Sequence, residues 1–254
     1  MKIFRSVITV RSMSVILALG LPIAIATLAA KADTITLSTN DYPPYNASSL
    51  PQNGIVSAIS RAALAHAGDQ LIIRFRPWQR ALQEAQSGET NGILSLWYSK
   101  ERSTLLAYSH PIYANEIGFY ARKNTSLDVS DLSRLKPLKI GVVRGYLNPQ
   151  AFDAARLSTE LANDDADNLM KLAAGRVDLI LIDKQLARYL LSTRLKSIQD
   201  QLIWLEPVVD TLQLYVAFSK KSPGWEKRLA HFNAGLAAAQ QDGTLSRLKQ
   251  QLGY

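Results

Sequence analysis

Arg102 and Asp183 are two side chains of opposite charge that each stand just beyond an apolar, strand-like segment of the sequence. The guanidinium group of an arginine carries a planar fork of N–H donors that fits a carboxylate, and an aspartate accepts hydrogen bonds from an ammonium group. If the two side chains face a common cleft, they could hold the two charged ends of a small zwitterionic molecule. This chemistry depends on the elements that position them.

The segments that lead to these two residues share one pattern. The first copy is Leu82, Ala85, Gly88, Asn91, Ile93 and Leu94, and 87 residues later (169 minus 82) the same offsets hold Leu169, Leu172, Gly175, Asp178, Ile180 and Leu181. Each copy predicts the last turns of an amphipathic helix, a glycine stop, a short polar turn and an apolar strand. Ligands of open parallel sheets bind beyond the carboxyl ends of the strands, so residues 95–102 and Asp183 become candidate site residues.

Helices and strands alternate along most of the remaining chain. Besides the strand of the first copy, strands are predicted at 34–39, 71–75, 117–121, 138–143, 177–182, 202–205 and 212–218, and helices at 55–66, 79–85, 149–156, 167–174, 184–191, 225–240 and up to 252. This alternation predicts an α/β protein built from two small units, each with a mostly parallel sheet and right-handed crossovers.

Four aromatic residues are further candidates for the same cleft. Tyr42 and Tyr45 flank two prolines that interrupt the first strand, so they belong to a polar loop, where we expect less burial. Trp78 and Trp97 fit either a pocket or the core, because aromatic side chains dominate both. Two charge-assisted contacts contribute at most about 6 kcal/mol, whereas micromolar binding requires about 8.2 kcal/mol, so aromatic burial has to supply the difference.

Both charged candidates also have a purely structural interpretation. Arg102 follows Lys100 and Glu101 and could belong to a solvated surface ion pair that contributes little energy. Asp183 stands directly before a predicted helix and could act as its N-cap. The residue types and their spacing leave these interpretations open beside the ligand-binding ones.

The overall composition excludes several classes of protein. Of the 254 residues, 47% are hydrophobic and 20% are charged, which is enough for one or two domains with a sizeable core. The formal net charge is +8, but four positive charges lie in the first 32 residues, which leaves +4 (8 minus 4) for the rest, in no basic stripe. Nucleic-acid binding is therefore not expected. The motifs show no metal-ligand spacing, and we predict neither a metal nor a cofactor.

The first 32 residues resemble a secretory signal peptide. A basic start precedes an apolar stretch from 13 to 28, which is 16 residues long (28 minus 13, plus one) and shorter than the roughly 20 residues that span a bilayer. Ala30-Lys31-Ala32 supplies a small-x-small cleavage site before Asp33. Because the chain has no cysteine, lipid attachment near that site is excluded. We therefore expect a soluble periplasmic chain without stable membrane insertion; an uncleaved membrane anchor is the alternative.

Five short motifs follow one another along the mature chain, and none is specific alone. They are Tyr42-Pro-Pro-Tyr45, Arg76-Pro-Trp-Gln-Arg-Ala81, Ser99-Lys-Glu-Arg102, Tyr108-Ser-His-Pro-Ile-Tyr113 and Ala174-Gly-Arg-Val-Asp178 through Asp183. In their order and spacing they resemble the type 3 solute-binding proteins of ABC transporters, the periplasmic amino-acid-binding class. The resemblance covers residues 33–254.

This resemblance implies a two-lobed periplasmic-binding-protein-like fold, in which each lobe is a mostly parallel sheet flanked by helices and two crossover strands join the lobes. The crossings would lie near 114–117 and 210–213. Residues 1–32 would be the signal peptide, 33–113 and 213–254 the first lobe, and 114–212 the second lobe.

The resemblance also implies roles for individual residues. Arg102 matches the arginine that binds the ligand carboxylate, Asp183 matches the aspartate that binds the ammonium, and Arg144-Gly145-Tyr146 match an anion-binding loop. Trp97 departs from the family, which has small residues before the Thr-x-Glu-Arg motif. The predicted ligand-binding set is Tyr42, Tyr45, Trp78, Ser95, Trp97, Arg102, Arg144, Gly145, Tyr146 and Asp183.

The implied function is capture of a small polar solute that bears a carboxylate, an amino acid or a derivative, by closure of the lobes, and its delivery by a monomeric protein to an ABC permease. One alternative is an enzyme on the same fold, similar to cyclohexadienyl dehydratase, with His110, Asp41 and Asp183 as its candidate acids or bases. Another is a soluble ligand-sensing partner of a membrane receptor.

Overall fold

The computed structural model describes Met1 and residues 32–254, so the predicted signal peptide lies outside the described residues apart from its two ends. The described strands are β1 Thr34–Thr39, β2 Gln70–Phe75, β3 Gly92–Trp97, β4 Leu106–Tyr108, β5 Tyr113–Arg122, β6 Lys139–Val143, β7 Ser158–Ala162, β8 Leu179–Asp183 and β9 Leu202–Ser219. The described α-helices are α1 Ile55–His66, α2 Trp78–Ser87, α3 Gln150–Ala155, α4 Asp165–Ala173, α5 Lys184–Thr193, α6 Trp225–Gln241 and α7 Thr244–Leu252. Within the described range, no helix is both long and apolar enough to cross a membrane.

The strands pair in the order β2-β1-β3-β9-β5-β8-β6-β7, with β4 added to β9. The pairs β1 with β2 and β1 with β3 are parallel, as are β6 with β7 and β6 with β8. Between these two parallel units, β9 and β5 run antiparallel to each other. The predicted α/β class, with two mostly parallel units, is confirmed.

The glycine stops of the sequence repeat adopt the same geometry in both units. Gly88 and Gly175 have φ angles of +84° and +71°, a region that glycine enters without a steric penalty. The N–H of Gly88 donates to the carbonyl of Ala85 at 3.2 Å, and the N–H of Gly175 donates to the carbonyl of Leu172 at 3.0 Å. Helix α2 ends at Ser87, directly before its glycine, and α4 ends at Ala173, two residues before Gly175.

The polar turn of the repeat is also equivalent in the two units. Asn91 accepts the N–H of Thr36 on its side-chain oxygen at 2.8 Å, and Asp178 accepts the N–H of Lys139 at 2.9 Å. The backbone N–H groups of the same two residues donate back to the carbonyls of Thr36 and Lys139 at 2.9 and 2.8 Å. The repeat thus sets the register between the strand that follows it and the first strand of its unit.

The two long strands β5 and β9 carry the chain between the units. Residues 114–117, predicted as a crossing, pair with residues 210–213, the other predicted crossing. The sequence predicts two short strands at 202–205 and 212–218, and this prediction is wrong because β9 is continuous from 202 to 219. Pro207 and the polar residues after it break the apolar pattern, and the register with β5 shifts between Ile117 and Phe119, but the backbone stays extended.

Two strands are absent from the sequence prediction. β7 is an edge strand whose side chains are mostly exposed, so its residues Ser158-Thr-Glu-Leu-Ala162 show no apolar face. β4 has three residues and pairs only with β9 among the described strands. Neither segment has the length or the periodicity on which a strand prediction depends.

The largest apolar cluster contains residues of both lobes, and each lobe adds a smaller cluster of its own. In the first lobe, Phe218 of β9 packs on Phe232 of α6 with ring centroids 5.9 Å apart, and both rings are fully buried. In the second lobe, Phe119 of β5 contacts Phe152 of α3 at 6.2 Å. Full burial of each such side chain contributes about 1.5–3 kcal/mol.

Candidate functional site

Most of the predicted site residues surround one small cavity between the two lobes. The cavity has a volume of about 30 Å³. Its lining residues are Asn40, Tyr42, Trp78, Ser95, Trp97, Arg102, Tyr146 and Leu147. All of them except Asn40 and Leu147 belong to the predicted set, and only Tyr146 and Leu147 come from the second lobe.

The loop after β1 turns back on itself and buries both of its tyrosines. Tyr42 donates its N–H to the carbonyl of Asn46 at 2.6 Å, and the amide of Asn46 donates to the Thr39 hydroxyl at 2.9 Å. Tyr42 and Tyr45 stack with ring centroids 5.4 Å apart and are 6% and 1% exposed. The expectation of lower burial in this loop is wrong, because the turn lies beneath the second lobe and not on the surface.

Ser95 is placed by an irregularity in β3. It has φ +60°, and the register with β9 shifts between Ile93 and Leu96. This conformation costs a residue with a side chain roughly 1–2 kcal/mol. The Ser95 hydroxyl is buried and hydrogen-bonds to the side-chain oxygen of Asn46. The bulge turns Ser95 and Trp97 toward the cavity and joins β3 to the tyrosine loop.

Arg102 lies between the lobes on the face of an indole ring. Its guanidinium carbon is 5.6 Å from the centroid of Trp78, within the range of a cation–π contact. Its Nη2 donates to the carbonyl of Gly145 at 3.4 Å, and Trp78 Nε1 donates to the same carbonyl at 3.0 Å. Burial lowers the pKa of Arg102, but an arginine remains charged. No carboxylate among the described residues lies within ion-pair distance of it.

The predicted anion loop of the second lobe is only partly directed toward the cavity. Gly145 presents its carbonyl to the first lobe and has φ +76°, and Tyr146 lines the cavity. Arg144 is exposed and does not line the cavity, so the geometry does not support its predicted contact with a ligand.

Asp183 is almost fully surrounded by donors from the protein. Tyr45 donates its hydroxyl to both oxygens at 3.1 and 2.9 Å, Asn115 Nδ2 donates at 2.9 Å, and the N–H of Leu186 donates at 2.6 Å. The last contact makes Asp183 the N-cap of α5. Burial raises its pKa to about 6, and the donors from Leu186, Asn115 and Tyr45 oppose that rise. The geometry favours the structural interpretation of Asp183 over the ammonium site.

Asp165 is a second buried carboxylate at the cleft, and the sequence analysis missed it. It is 7% exposed, and Tyr146 donates its hydroxyl to Oδ2 at 3.2 Å. Burial raises the pKa of Asp165 to about 7, and the negative charges of Asp183 and Asp164 add to the rise. Asp165 is the first residue of α4, where an aspartate is the usual helix-start residue, so the sequence contained no signal for a site.

Asn40 and Asn115 were also missed, although both hold predicted site residues in place. Asn40 donates its amide to the Tyr146 hydroxyl at 3.2 Å, across the two lobes. Asn115 on β5 accepts the indole N–H of Trp97 at 3.0 Å and donates to Asp183. An asparagine between two aromatic or acidic partners can be identified only once those partners are known to be close.

A second small cavity, of about 20 Å³, lies behind the first, and Asp165 and Asp183 both line it. Tyr42, Trp97, Tyr146 and Leu147 line both cavities, which are therefore adjacent. Arg102 lines the first cavity, and the two carboxylates line the second.

Residues 35–253 match the family model of bacterial extracellular solute-binding proteins, family 3. The chain belongs to this family. No curated protein sequence matches the chain at a significant level. The inter-lobe cavity therefore lies in a member of a solute-binding family, at the place where the resemblance implies the ligand site.

Solved structures with the same fold share low sequence identity with this family 3 protein. A histidine kinase sensor domain with similarity to periplasmic binding proteins has a TM-score of 0.74 and 20% identity, covering 87% of this chain and 96% of its own. The substrate-binding protein of an amino acid ABC transporter has a TM-score of 0.69 and 19% identity, and the match covers 86% of this chain and 98% of that protein. The ancestral amino-acid-binding protein AncCDT-1, a precursor of cyclohexadienyl dehydratase, has a TM-score of 0.68 and 18% identity. The match covers 86% of this chain and 94% of that protein. These likenesses confirm the two-lobed fold of the solute-binding protein.

Proposed function

We propose that this protein is a periplasmic solute-binding protein that captures a small carboxylate-bearing solute, an amino acid or a derivative, between its lobes and delivers it to an ABC permease. The observation that supports it best is Arg102. It is a half-buried cation at the inter-lobe cavity, and its described contacts are one carbonyl and one aromatic face. An arginine has five N–H donors in a planar fork, so a carboxylate can still bind to the remaining ones.

Capture would proceed by hinge closure. We place the first lobe at 33–113 and 213–254 and the second at 114–212, with the hinge in the paired segments 114–117 and 210–213 of β5 and β9. The two small cavities beside Arg102 and Asp183 are too small for an amino acid, so a solute would enter this space when the lobes separate. The hydrogen bonds that Trp78 and Arg102 donate to the carbonyl of Gly145 would then form when the lobes close.

Aromatic burial would supply much of the affinity. A charge-assisted contact to Arg102 contributes about 1.5–3 kcal/mol, well below the roughly 8.2 kcal/mol of a micromolar complex. Trp78, Trp97, Tyr42 and Tyr146 surround the space next to Arg102, and lobe closure would desolvate the solute against their rings. The indole of Trp97 in this position favours a solute with a flat or narrow apolar part.

The proposal can be tested by calorimetric titration with a panel of amino acids and other small carboxylates. We expect at least one to bind and to raise the melting temperature. Arg102→Ala should then weaken binding of that solute tenfold to hundredfold, because one charge-assisted contact is lost. Arg134→Ala is the matched control, since this exposed arginine pairs only with Asp128 and Asp131 on the surface of the second lobe. Equal affinities for the Arg102→Ala and Arg134→Ala variants would contradict the proposal.

A second candidate function is an enzyme on the same fold. Its support is Asp165, a cleft carboxylate whose pKa near 7 suits a general acid or base, together with the likeness to a dehydratase precursor. His110, the base that the sequence suggests, is exposed and does not line either small cavity. Turnover of a cyclic carboxylate that is abolished in Asp165→Ala would favour the enzyme.

A third candidate is a ligand-sensing partner of a membrane receptor, for which the likeness to a histidine kinase sensor domain is the support. The binding experiment above does not separate this role from transport. Uptake of the identified solute by cells that lack the protein distinguishes the two roles. A transport protein is required for uptake, whereas a sensing partner is required only for the response of the receptor to the solute.

A further inference from the structure

The described cleft offers a ligand two charged side chains that are not neutralised by the protein. One is Arg102 in the first cavity, and the other is Asp165 in the second. Asp183, the carboxylate that the family resemblance assigns to the ligand, already accepts hydrogen bonds from Tyr45, Asn115 and Leu186. A cationic group of a ligand would have to displace one of these buried donors to reach Asp183.

Asp165 is in the opposite situation. Tyr146 is its one hydrogen-bond donor from another side chain in the described part of the chain, and no described lysine or arginine is within ion-pair distance of it. An ionised carboxylate that is nine-tenths buried without a cation is unfavourable, and a cation that reaches it relieves that cost.

Asp165 can also be reached from solvent. Besides the inner cavity it borders an open groove of about 770 Å³ along the front of the two lobes. Asp41 and Asp164 lie in the same groove, as do Arg76 and Arg194, none of which pairs with Asp165. A positively charged group can therefore approach Asp165 through a groove whose lining carries three aspartates, Asp165 included, and two arginines.

The positions of the two unneutralised charges restrict the ligand. Arg102 contacts the backbone carbonyl just before Tyr146, whereas Asp165 contacts the hydroxyl at the far end of the Tyr146 side chain. The two charges therefore contact opposite ends of Tyr146, one at the carbonyl that precedes it and the other at its hydroxyl. A ligand whose cation lies several bonds away from its carboxylate fits this placement better than an α-amino acid, which carries both charges on one carbon.

We propose that Asp165, and not Asp183, is the cation-binding residue of this protein, and that its ligand carries its positive charge several bonds away from its carboxylate, as an ω-amino or ω-guanidino acid does. This inference rests on the proposed solute-binding function and specifies the solute class. Arg102 holds the carboxylate, the aromatic rings of Trp78 and Tyr146 contact the chain between the charges, and Asp165 holds the terminal cation. Asp183 positions Tyr45 and the start of α5.

Three five-carbon acids test the inference by calorimetric titration of the mature protein. In 5-aminopentanoate the charge is terminal, in 2-aminopentanoate it is next to the carboxylate, and pentanoate has no cation. We expect 5-aminopentanoate to bind at least tenfold more tightly than the other two. Tighter binding of 2-aminopentanoate, or no preference among the three acids, would overturn the inference.

Three variants identify the carboxylate. Asp165→Asn should weaken the binding of 5-aminopentanoate at least tenfold and leave that of pentanoate unchanged, while Asp165→Glu should restore part of the loss. Asp183→Asn should keep the wild-type affinity at a temperature where circular dichroism shows it folded. If Asp183→Asn weakened the binding of 5-aminopentanoate and Asp165→Asn did not, the assignment of the cation to Asp165 would be refuted. If none of the three acids binds, this solute class is wrong, and the broader amino acid panel decides separately whether the solute-binding function stands.

Discussion

Replacement of Asp165 by asparagine should stabilise the folded protein at alkaline pH, although it removes a hydrogen-bonded carboxylate. Burial raises the pKa of Asp165 from an ordinary value of 3.8 to about 7. A carboxyl group with a raised pKa holds its proton in the folded state over a pH range in which the unfolded chain has lost it. Its stabilising contribution is therefore complete below about pH 4 and is lost as the pH rises through 7. Asparagine does not ionise and keeps an oxygen that can accept the hydrogen bond from Tyr146.

The difference between the pKa values sets the magnitude. From 3.8 to about 7 is roughly 3 units, and each unit corresponds to about 1.36 kcal/mol, so the upper limit is about 4 kcal/mol. The variant loses the favourable interaction of a negative charge with the start of α4, which is at most about 1 kcal/mol at such a position. The burial effect is larger, so the free energy of unfolding of Asp165→Asn should exceed that of the wild type by an amount that grows between pH 4 and pH 8.

Urea unfolding of both proteins at pH 4, 5.5, 7 and 8, without added ligand, measures this difference. Asp164→Asn is the matched control, because Asp164 is the exposed neighbour that caps α4 and asparagine caps equally well. The free energy of unfolding of this control should differ from that of the wild type by less than about 0.5 kcal/mol at pH 4. At pH 8 the difference should be much smaller than that of Asp165→Asn, because Asp164 only adds to the rise of the Asp165 pKa that burial causes. The reasoning would be refuted if the difference in the free energy of unfolding between Asp165→Asn and the wild type were independent of pH or became smaller as the pH rises.

Three further substitutions test the structure. Asp183→Ala should lower the free energy of unfolding by about 3 kcal/mol in urea titration at pH 4, where Asp183 is not ionised at the cost of its burial, since a helix cap is lost and the donors of Tyr45 and Asn115 are left buried without a partner; a loss below 1 kcal/mol would contradict the capping role. Gly118→Ala should cost about 1–3 kcal/mol and shift the tryptophan fluorescence, because its Cβ would be 2.7 Å from the Trp204 ring. Gly145→Ala should reduce solute affinity, whereas Gly68→Ala, which has a similar φ but no neighbour within 4 Å, should affect stability only.

The sequence predicted helix ends and turns correctly where they depend on residues close to one another in the chain. A glycine after an amphipathic segment predicts the end of a helix, and both Gly88 and Gly175 end helices with positive φ. The polar residue three positions later in each copy pairs with the neighbouring strand in both lobes. These features depend on contacts within one βαβ unit, so the repeat was sufficient to predict them.

The candidate site was predictable as a neighbourhood but not as a set of roles. Arg102, Trp78, Trp97 and Tyr146 were identified from motifs and line one cavity. The same reasoning assigned the cation to Asp183 because a motif records residue type and position, not the number of donors around a side chain. Whether the hydrogen-bonding capacity of Asp183 is filled depends on Tyr45 and Asn115, which come from two other segments of the chain.

By itself the sequence determined the α/β class and the duplicated unit, because helix ends, strand patterns and turns follow from neighbouring residues; the crossing segments and the region of the site stay predictions. Only the tertiary structure decided that Asp183 is enclosed by Tyr45 and Asn115 while Asp165 is left with Tyr146 and access to an open groove. The physical reason is that burial and hydrogen-bond satisfaction are properties of packed surroundings. In this protein those surroundings come from both lobes at once.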